Sequence, residues 1–305
     1  MHFGQTPCVS QQIMRRNTMS MAMLQSSVRR LVCTQSPTTH RMAPTEGIHI
    51  DTGAVSRPHP RKKGPGEDAH FITSVAGSSG RVCMGVADGV GGAGNSGEYA
   101  SMLMAAAEAH HVSHPTHGPF DILASAWRDV SERLQIEGRS TASIVLLDAL
   151  AEPPLLHGVN LGDSGWLLLR WTERGRLRIA HRSKAGTHAF NCPHQLGVHL
   201  GVELNSPADA DVARDVPLMK GDLLLLATDG LFDVMYDLEI LELIAGARRD
   251  GQSATAIATL LVDTARALAL DGKRLSPVVV AMQAQDVIAR PREVQDDVTV
   301  AVAHL

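Results

Sequence analysis

The residues best suited to chemistry are carboxylates that close strand-like runs. Arg81–Gly94 reads RVCMGVADGVGGAG: an apolar run, Val82 to Ala87, stops at Asp88, and four of the next six residues are glycine. A glycine cluster behind a strand marks a tight turn or a backbone that approaches something closely. An Asp beside such backbone can offer carboxylate and carbonyl oxygens to one point, which is what hard cations bind. A lone Asp-Gly pair is usually a turn, but this chain repeats the arrangement. LLLLATDG (223–230) ends on Asp229, LLHGVNLGDSG (155–165) reaches Asp163, VQDDVTV (294–300) sets Asp296 and Asp297 before a last strand, and Glu67-Asp68 precede HFITSV. Five acidic positions at strand edges, far apart in sequence, point to one acidic cluster assembled by the fold. With no Cys or His at suitable spacing, such a cluster favours Mg²⁺ or Mn²⁺ over zinc. Two such ions sharing a carboxylate can activate a water for in-line displacement at phosphorus.

These carboxylates need strands to hold them. After a polar entry loop with three prolines, Gly47 to Gly66, the sequence predicts a helix over Ser96 to Val112 and a second over Phe120 to Glu137. Short strands at hairpin spacing follow: Ser143 to Asp148, Leu155 to Leu161, Trp166 to Trp171 and Leu177 to His181. Ser183 to Arg214 reads as an irregular polar stretch. A buried strand, Leu223 to Thr228, precedes helices over Asp237 to Ala247 and Ser253 to Leu270, and Val298 to His304 is the last strand. Pro277 to Arg292, like Ser183 to Arg214, reads as a long loop able to face a substrate. Strands, two helices, many strands, two helices and one strand make an α+β fold with antiparallel sheets rather than alternating βαβ units.

The totals narrow the function. The chain has 305 residues, 44% of them hydrophobic, enough for one large core. Aromatic content of 3% and a net charge of −4 give no sign of nucleic-acid binding. Cys8, Cys33, Cys83 and Cys192 contain no C-x-x-C pair, which fits a reducing compartment. No apolar run is long enough to span a membrane. Residues 1–45 hold five arginines and no acid, leaving 23 basic against 32 acidic residues in the remainder. A basic, acid-free, Ser-rich leader reads as an organelle transit peptide, mitochondrial by preference with a plastid as the alternative. Residues 46–305 then form a single catalytic domain.

Three local signatures compete with the acidic reading. Gly89 to Gly94 fits G-x-G-x-x-G, but two helices follow where a dinucleotide fold needs a second parallel strand, and Asp88 would repel a pyrophosphate. Gly162-Asp163-Ser164-Gly165 copies the surroundings of a trypsin-like nucleophile, yet runs on as a strand in a chain without paired cysteines. His110, His111, His114 and His117 make a histidine patch, but Pro115 breaks the helix on which spaced zinc ligands would sit.

Taken in order, Gly66-Glu67-Asp68, Ala87-Asp88-Gly89-Val90-Gly91-Gly92, Ser140-Thr141-Ala142, Asn160 to Gly165, Ala227 to Asp233 and Asp296 to Val300 resemble the motif series of the metal-dependent type 2C Ser/Thr protein phosphatases, from about residue 64 to 305. DGVGG and Phe190-Asn191-Cys192-Pro193-His194-Gln195-Leu196 are similar to the family's mitochondrial branch. The resemblance implies two packed antiparallel sheets flanked by helices, with a two-metal cleft at one edge. It implies that Asp88 bridges two Mg²⁺ or Mn²⁺ ions, the Gly89 carbonyl binds one, Asp229 and Asp296 hold the other, and Asp163 reaches a weaker third. Glu67 and Asp68 would orient waters, and a metal-activated water would hydrolyse phosphoserine or phosphothreonine in protein substrates without a phosphoenzyme. A monomer is expected. The family's phosphate-binding Arg falls on Lys63, with Arg61 as the alternative. Val90 stands where many relatives carry a His proposed as general acid, a role typically worth roughly 10²–10⁴-fold. The non-enzymatic alternative is a pseudophosphatase acting as a binding module, against which all four first-shell positions are intact. A phosphatase of small phosphorylated metabolites is a third reading.

Overall fold

Period-two burial sorts the strands into layers. The computed structural model describes residues 50–305 apart from 63, 75–79, 91–94, 135–137, 200–201, 286–289 and 295. The arginine-rich leader, Lys63, Gly91 and Gly92 thus lie outside the described residues.

The chain opens with β1 (Asp51–Arg57), β2 (Asp68–Thr73) and β3 (Arg81–Asp88), followed by α1 (Ser96–Ser113) and α2 (Pro119–Arg128). Next come β4 (Gly138–Ser140), β5 (Ala142–Asp148), β6 (Leu155–Leu161), β7 (Gly165–Trp171) and β8 (Leu177–Arg182). The small strands β9 (Thr187–Ala189), β10 (Cys192–Pro193), β11 (Leu196–His199) and β12 (Val202–Glu203) lead to β13 (Asp211–Pro217) and β14 (Leu223–Ala227). The chain ends with α3 (Asp229–Phe232), α4 (Asp237–Arg249), α5 (Ala254–Ala269), α6 (Pro277–Ala284) and β15 (Val298–His304).

Two five-stranded antiparallel sheets dominate, ordered β1-β15-β14-β7-β8 and β13-β6-β5-β3-β2. Their inner faces share one core, including Met84, Val86, Val145, Leu147, Trp166, Leu168, Leu224, Leu226 and Ala301. The outer face of the second sheet packs Phe71 and Ile144 against Tyr99 and Leu103 of α1 and Ile122 of α2. The outer face of the first packs Leu225, Val298 and Val300 against Ile257 and Leu261 of α5. The result is a four-layer sandwich of helix, sheet, sheet and helix, so the expected α+β architecture holds.

Four stretches differ from the sequence reading. The supposed entry loop contains β1, which pairs with β15 along its seven residues. Small and polar residues mask its alternation, yet it fastens α5 in place: the Asp51 carboxylate accepts the Ala254 N–H at 2.8 Å. Phe120 to Glu137 is not one helix; α2 stops at Arg128 and widens into a π turn over Asp129–Leu134. Ser183 to Arg214 is not irregular but carries β9 to β12, a 3₁₀ turn at Pro207–Asp209 and the start of β13, elements too short to show a period. The Pro277 to Arg292 loop begins with α6, entered through Pro277 at a first-turn position where its missing N–H costs nothing. His110 and His117 each stack on His114 with ring centroids 4.5 and 4.9 Å apart, and His110 Nε2 and His117 Nδ1 share a hydrogen bond at 3.0 Å, so these rings satisfy one another.

Candidate metal centre

The inner columns of the sandwich change character at one end. On β3, Val82, Met84 and Val86 face the inter-sheet core, and Asp88 follows two residues on. Opposite them on β2, Ile72 pairs with Met84, His70 with Val86 and Asp68 with Asp88. β5 runs Leu147, Val145, Ser143 and is preceded by Thr141. β14 runs Leu224, Leu226 and is followed by Thr228, while β15 runs Ala303, Ala301, Thr299 and is preceded by Asp297. The same two-residue period that fills the core therefore delivers polar groups to a single edge of the sandwich.

Hydrogen bonds fix these groups. The Asp88 N–H donates to Thr141 Oγ1 at 3.1 Å, and the Asp88 carbonyl accepts the Thr141 N–H and the Ser140 hydroxyl, both at 2.9 Å. Thr141 Oγ1 also bonds Ser164 Oγ at 2.7 Å, joining the Asp88 strand to the Asp163 turn. Gly162 makes that turn at φ +99°, a region open mainly to glycine. Gly89 is confined: a Cβ there would lie 2.6 Å from the Ser96 carbonyl oxygen and 2.7 Å from that of Glu67. Asp229 opens α3, and Thr228, just before it, donates its hydroxyl to Asp68 Oδ2 at 2.9 Å.

The electrostatics are those of carboxylates buried close together. Burial, then the charges of Asp68, Asp296 and Asp163, push the Asp88 carboxyl well above its ordinary pKa. Burial, then Asp88, Asp296 and Asp163, do the same to Asp229. Burial raises Asp163, Asp68, Asp233 and Asp296 as well. Asp68 Oδ1, Asp163 Oδ1 and Asp229 Oδ1 are buried with no hydrogen-bond partner. A buried acceptor without a donor costs about 1–3 kcal/mol, more when charged, so three in one pocket fit a hard cation that uses oxygen donors. Among the described residues no three His, Cys, Asp or Glu side chains close around a single ion. Mg²⁺ is commonly held through one or two carboxylates with water completing its shell, so pairs of these carboxylates suffice.

Asp68, Asp88, Asp163, Asp229 and Asp296 are thus gathered into one cluster, with Gly89 beside it. Glu67 borders the cluster, its carboxylate on Lys62 at 2.7 Å and its N–H on Asp297 at 2.6 Å. Arg61 is not drawn in; it pairs with Glu293 at 2.7 Å. Four contributors went unassigned in the sequence reading. Lys62 places Nζ 2.9 Å from Asp297 Oδ2; burial works against its charge, but Glu67 and Asp297 outweigh this and raise its pKa. Asp297, 1% exposed, also accepts the His59 N–H at 2.9 Å and so pins the loop from His59 to Glu67. Asp233 senses Asp163 and Asp296, and its spacing of four from Asp229 was a readable sign of one helix face. Thr228 lies inside the Ala227 to Asp233 motif, where its type alone does not reveal the bond to Asp68.

Comparison with known proteins follows the same lines. The Protein phosphatase 2C family pattern matches residues 209–271. The protein phosphatase PTC7 homolog fig of Drosophila ananassae is 34% identical over 252 residues, covering 78% of this chain and 73% of that protein. The chain belongs to the protein phosphatase 2C family. The photosystem II phosphatase PBCP superposes on this phosphatase with a TM-score of 0.71 at 26% identity, covering 84% of this chain and 98% of that one. The catalytic domain of the serine/threonine protein phosphatase PstP, solved with two manganese ions, shares the fold with a TM-score of 0.51 at 20% identity, covering 84% and 97% of the two chains.

Proposed function

We propose that this phosphatase hydrolyses phosphoserine and phosphothreonine in protein substrates at a site for two Mg²⁺ or Mn²⁺ ions, with water as nucleophile and no phosphoenzyme. The observation that carries the reading is the trio of buried, partnerless carboxylate oxygens on Asp68, Asp163 and Asp229. Asp88, the Gly89 carbonyl, Asp229 and Asp296 would hold the pair of ions, and Asp163 a weaker third. When bound, such ions lower the pKa of water and neutralise charge on phosphoryl oxygens.

The chain's own groups do the rest. Asp68, oriented by Thr228, keeps Oδ1 free to accept a hydrogen bond from a water. Lys62 has three N–H donors, of which Glu67 and Asp297 take two. The third can meet a phosphoryl oxygen as a point charge. Val90 has no acidic proton to give, so the leaving alkoxide takes its proton from water or from another group. We assign catalysis to residues 46–305 as one domain and mitochondrial targeting to residues 1–45, on the leader's composition.

The test is phosphate release from a phosphothreonine peptide by the full chain with Mn²⁺, with Mg²⁺ and with EDTA, alongside Asp88→Ala and Asp229→Ala. Metal-dependent turnover lost in both variants is the expected result. Folded protein with no turnover under any metal would replace this reading with that of a binding module.

A further inference from the structure

A groove of about 440 Å³ opens beside α3, walled by Phe232, Met235, Tyr236, Leu238 and Pro277. We propose that it receives an apolar side chain of the phosphoprotein substrate, three to five residues from the phosphorylated position. This rests on the phosphatase reading above and extends it to substrate selection.

The groove adjoins the acidic cluster along the chain. Phe232 stands in α3 between Asp229 and Asp233, both members of the acidic cluster. At ~1.5 Å rise per residue, Phe232 lies about 5 Å along the helix from Asp229. Adding the reach of an aromatic side chain puts the groove roughly 10–15 Å from the reacting phosphorus, and an extended peptide covers ~3.3 Å per residue. That spacing sets the three to five residues.

Exposed apolar groups are held here by polar braces rather than by a core. Leu238 is 64% exposed and Leu275 48%. The Tyr236 hydroxyl donates to the Leu275 carbonyl at 2.8 Å, and the Arg274 guanidinium lies 5.6 Å from the centre of the Tyr236 ring. Arg274 also bonds the Val234 carbonyl at 3.1 Å, and the Val278 N–H donates to the Asp233 carbonyl at 3.1 Å. These bonds tie the groove to the cluster and preform it, so binding costs little ordering of the protein.

The charged residues at the groove, Arg182 and Asp237 among its lining, are paired. Arg182 pairs with Asp237, and Arg274 with Glu239 at 2.5 Å, so these ions are already satisfied. An apolar side chain covers the exposed surface without breaking either pair. The site is mostly apolar with a few fixed polar groups, the usual make-up of a ligand pocket.

The test uses the full chain with Mn²⁺ and a set of phosphothreonine peptides carrying Leu or Ala at single positions three to five residues to either side. Wild type is compared with Leu238→Ala and Leu238→Asp, with p-nitrophenyl phosphate as a substrate too small to reach the groove. Leu238 lies in the first turn of α4, where an added Asp suits the helix dipole and the fold is kept. Wild type should prefer Leu at one of those positions by about fivefold to tenfold in kcat/KM, carried in KM. Both variants should lose that preference and hydrolyse p-nitrophenyl phosphate as wild type does. Equal rates for Leu and Ala peptides at every position, or a preference that survives Leu238→Asp, would overturn the proposal. So would a dimer of the wild type that Leu238→Asp dissociates without changing peptide preference, since a second copy would then be the occupant. No metal-dependent turnover of any phosphopeptide would remove the phosphatase reading and the groove's role with it.

Discussion

Asp297 braces the carboxylate cluster from behind, so Asp297→Asn should damage stability and turnover together. In the wild type Oδ1 accepts the His59 N–H at 2.9 Å, while Oδ2 accepts the Glu67 N–H at 2.6 Å and Lys62 Nζ at 2.9 Å. Asparagine keeps one acceptor oxygen and turns the other into a donor. Whichever way the amide faces, its NH₂ meets a backbone N–H, and the better choice abandons His59. One orphaned buried N–H costs about 1–3 kcal/mol. Weakening the bond to Lys62 adds less than ~1 kcal/mol, because that ammonium is about a third exposed and keeps Glu67. Removing a negative charge gives something back, since Asp297 is among the charges that raise Asp68 and Asp296. The net is a loss of about 2 kcal/mol, or a Tm lower by ~4–8 °C for a domain of this size. Urea unfolding followed by tryptophan fluorescence in EDTA, with steady-state kinetics in Mn²⁺, gives both readouts. Asp297→Ala, which orphans both amides, should cost about 3–5 kcal/mol. An Asn variant within ~0.5 kcal/mol of wild type would refute the bracing role. Lost activity at unchanged stability would refute it as well, and would place Asp297 among the ion's own ligands.

Two further outcomes follow from the same geometry. Without metal, Asp68 and Asp233 are pushed up to about 7 and Asp296 to about 6, with burial the leading cause in each; unfolded they would titrate near 4. The folded state then binds more protons across that window, so stability is greatest at the acid end and is lost as pH rises through about 6–7. The urea midpoint in EDTA should therefore fall between pH 5 and pH 8, while Mn²⁺ at a hundred times its Kd should restore about 2.7 kcal/mol per ion at pH 8; an EDTA midpoint that rises with pH would contradict the anionic cluster. Gly89→Ala would place a Cβ 2.6 Å from the Ser96 carbonyl oxygen and 2.7 Å from that of Glu67, so activity should fall at least about a hundredfold as the backbone is displaced, and near-wild-type turnover would show that the residue 89 carbonyl can move without cost.

The sequence showed the cluster because each carboxylate sits where a run of apolar residues stops, and a stop of that kind survives in one dimension. Leu155–Leu161 and Val298–His304 were likewise legible to the residue, since buried runs flanked by turn residues have sharp ends. β1 was not, because an edge strand in which Val55 is the one large apolar residue carries its meaning in its pairing with β15 and its contact with α5. Asp296 and Asp297 read as a pair, although adjacent residues in extended chain face opposite ways. One joins the cluster while the other turns back to the loop at His59. Nor could the run Arg61-Lys62-Lys63 show which ammonium faces inward. The structure puts Lys62 on Glu67 and Asp297 and Arg61 on Glu293, contacts made across more than 200 residues for Asp297 and Glu293.

The carboxylate cluster is best understood as the unfinished end of a hydrophobic core. Moving along β3 from Val82 to Asp88, no element changes and the backbone keeps its period; only the residue type does. β2, β5, β14 and β15 make the same change at the same edge, so their polar ends face one another with the sheets already fixed by packing behind them. A core of this kind is close-packed and stiff, which holds oxygens in place before an ion arrives. The cost is that like charges are forced together in the absence of metal, and the fold accepts it because Leu224, Leu226, Trp166 and their neighbours bury enough apolar surface to offset it, at about 1.5–3 kcal/mol for each large side chain. Preorganisation and metal-free instability are thus one property of the same columns. It follows that Thr228→Val, which leaves the apolar core intact but removes both the hydroxyl donor to Asp68 and the acceptor of the buried Thr299 N–H, should lower stability by about 1–3 kcal/mol and lower turnover as well.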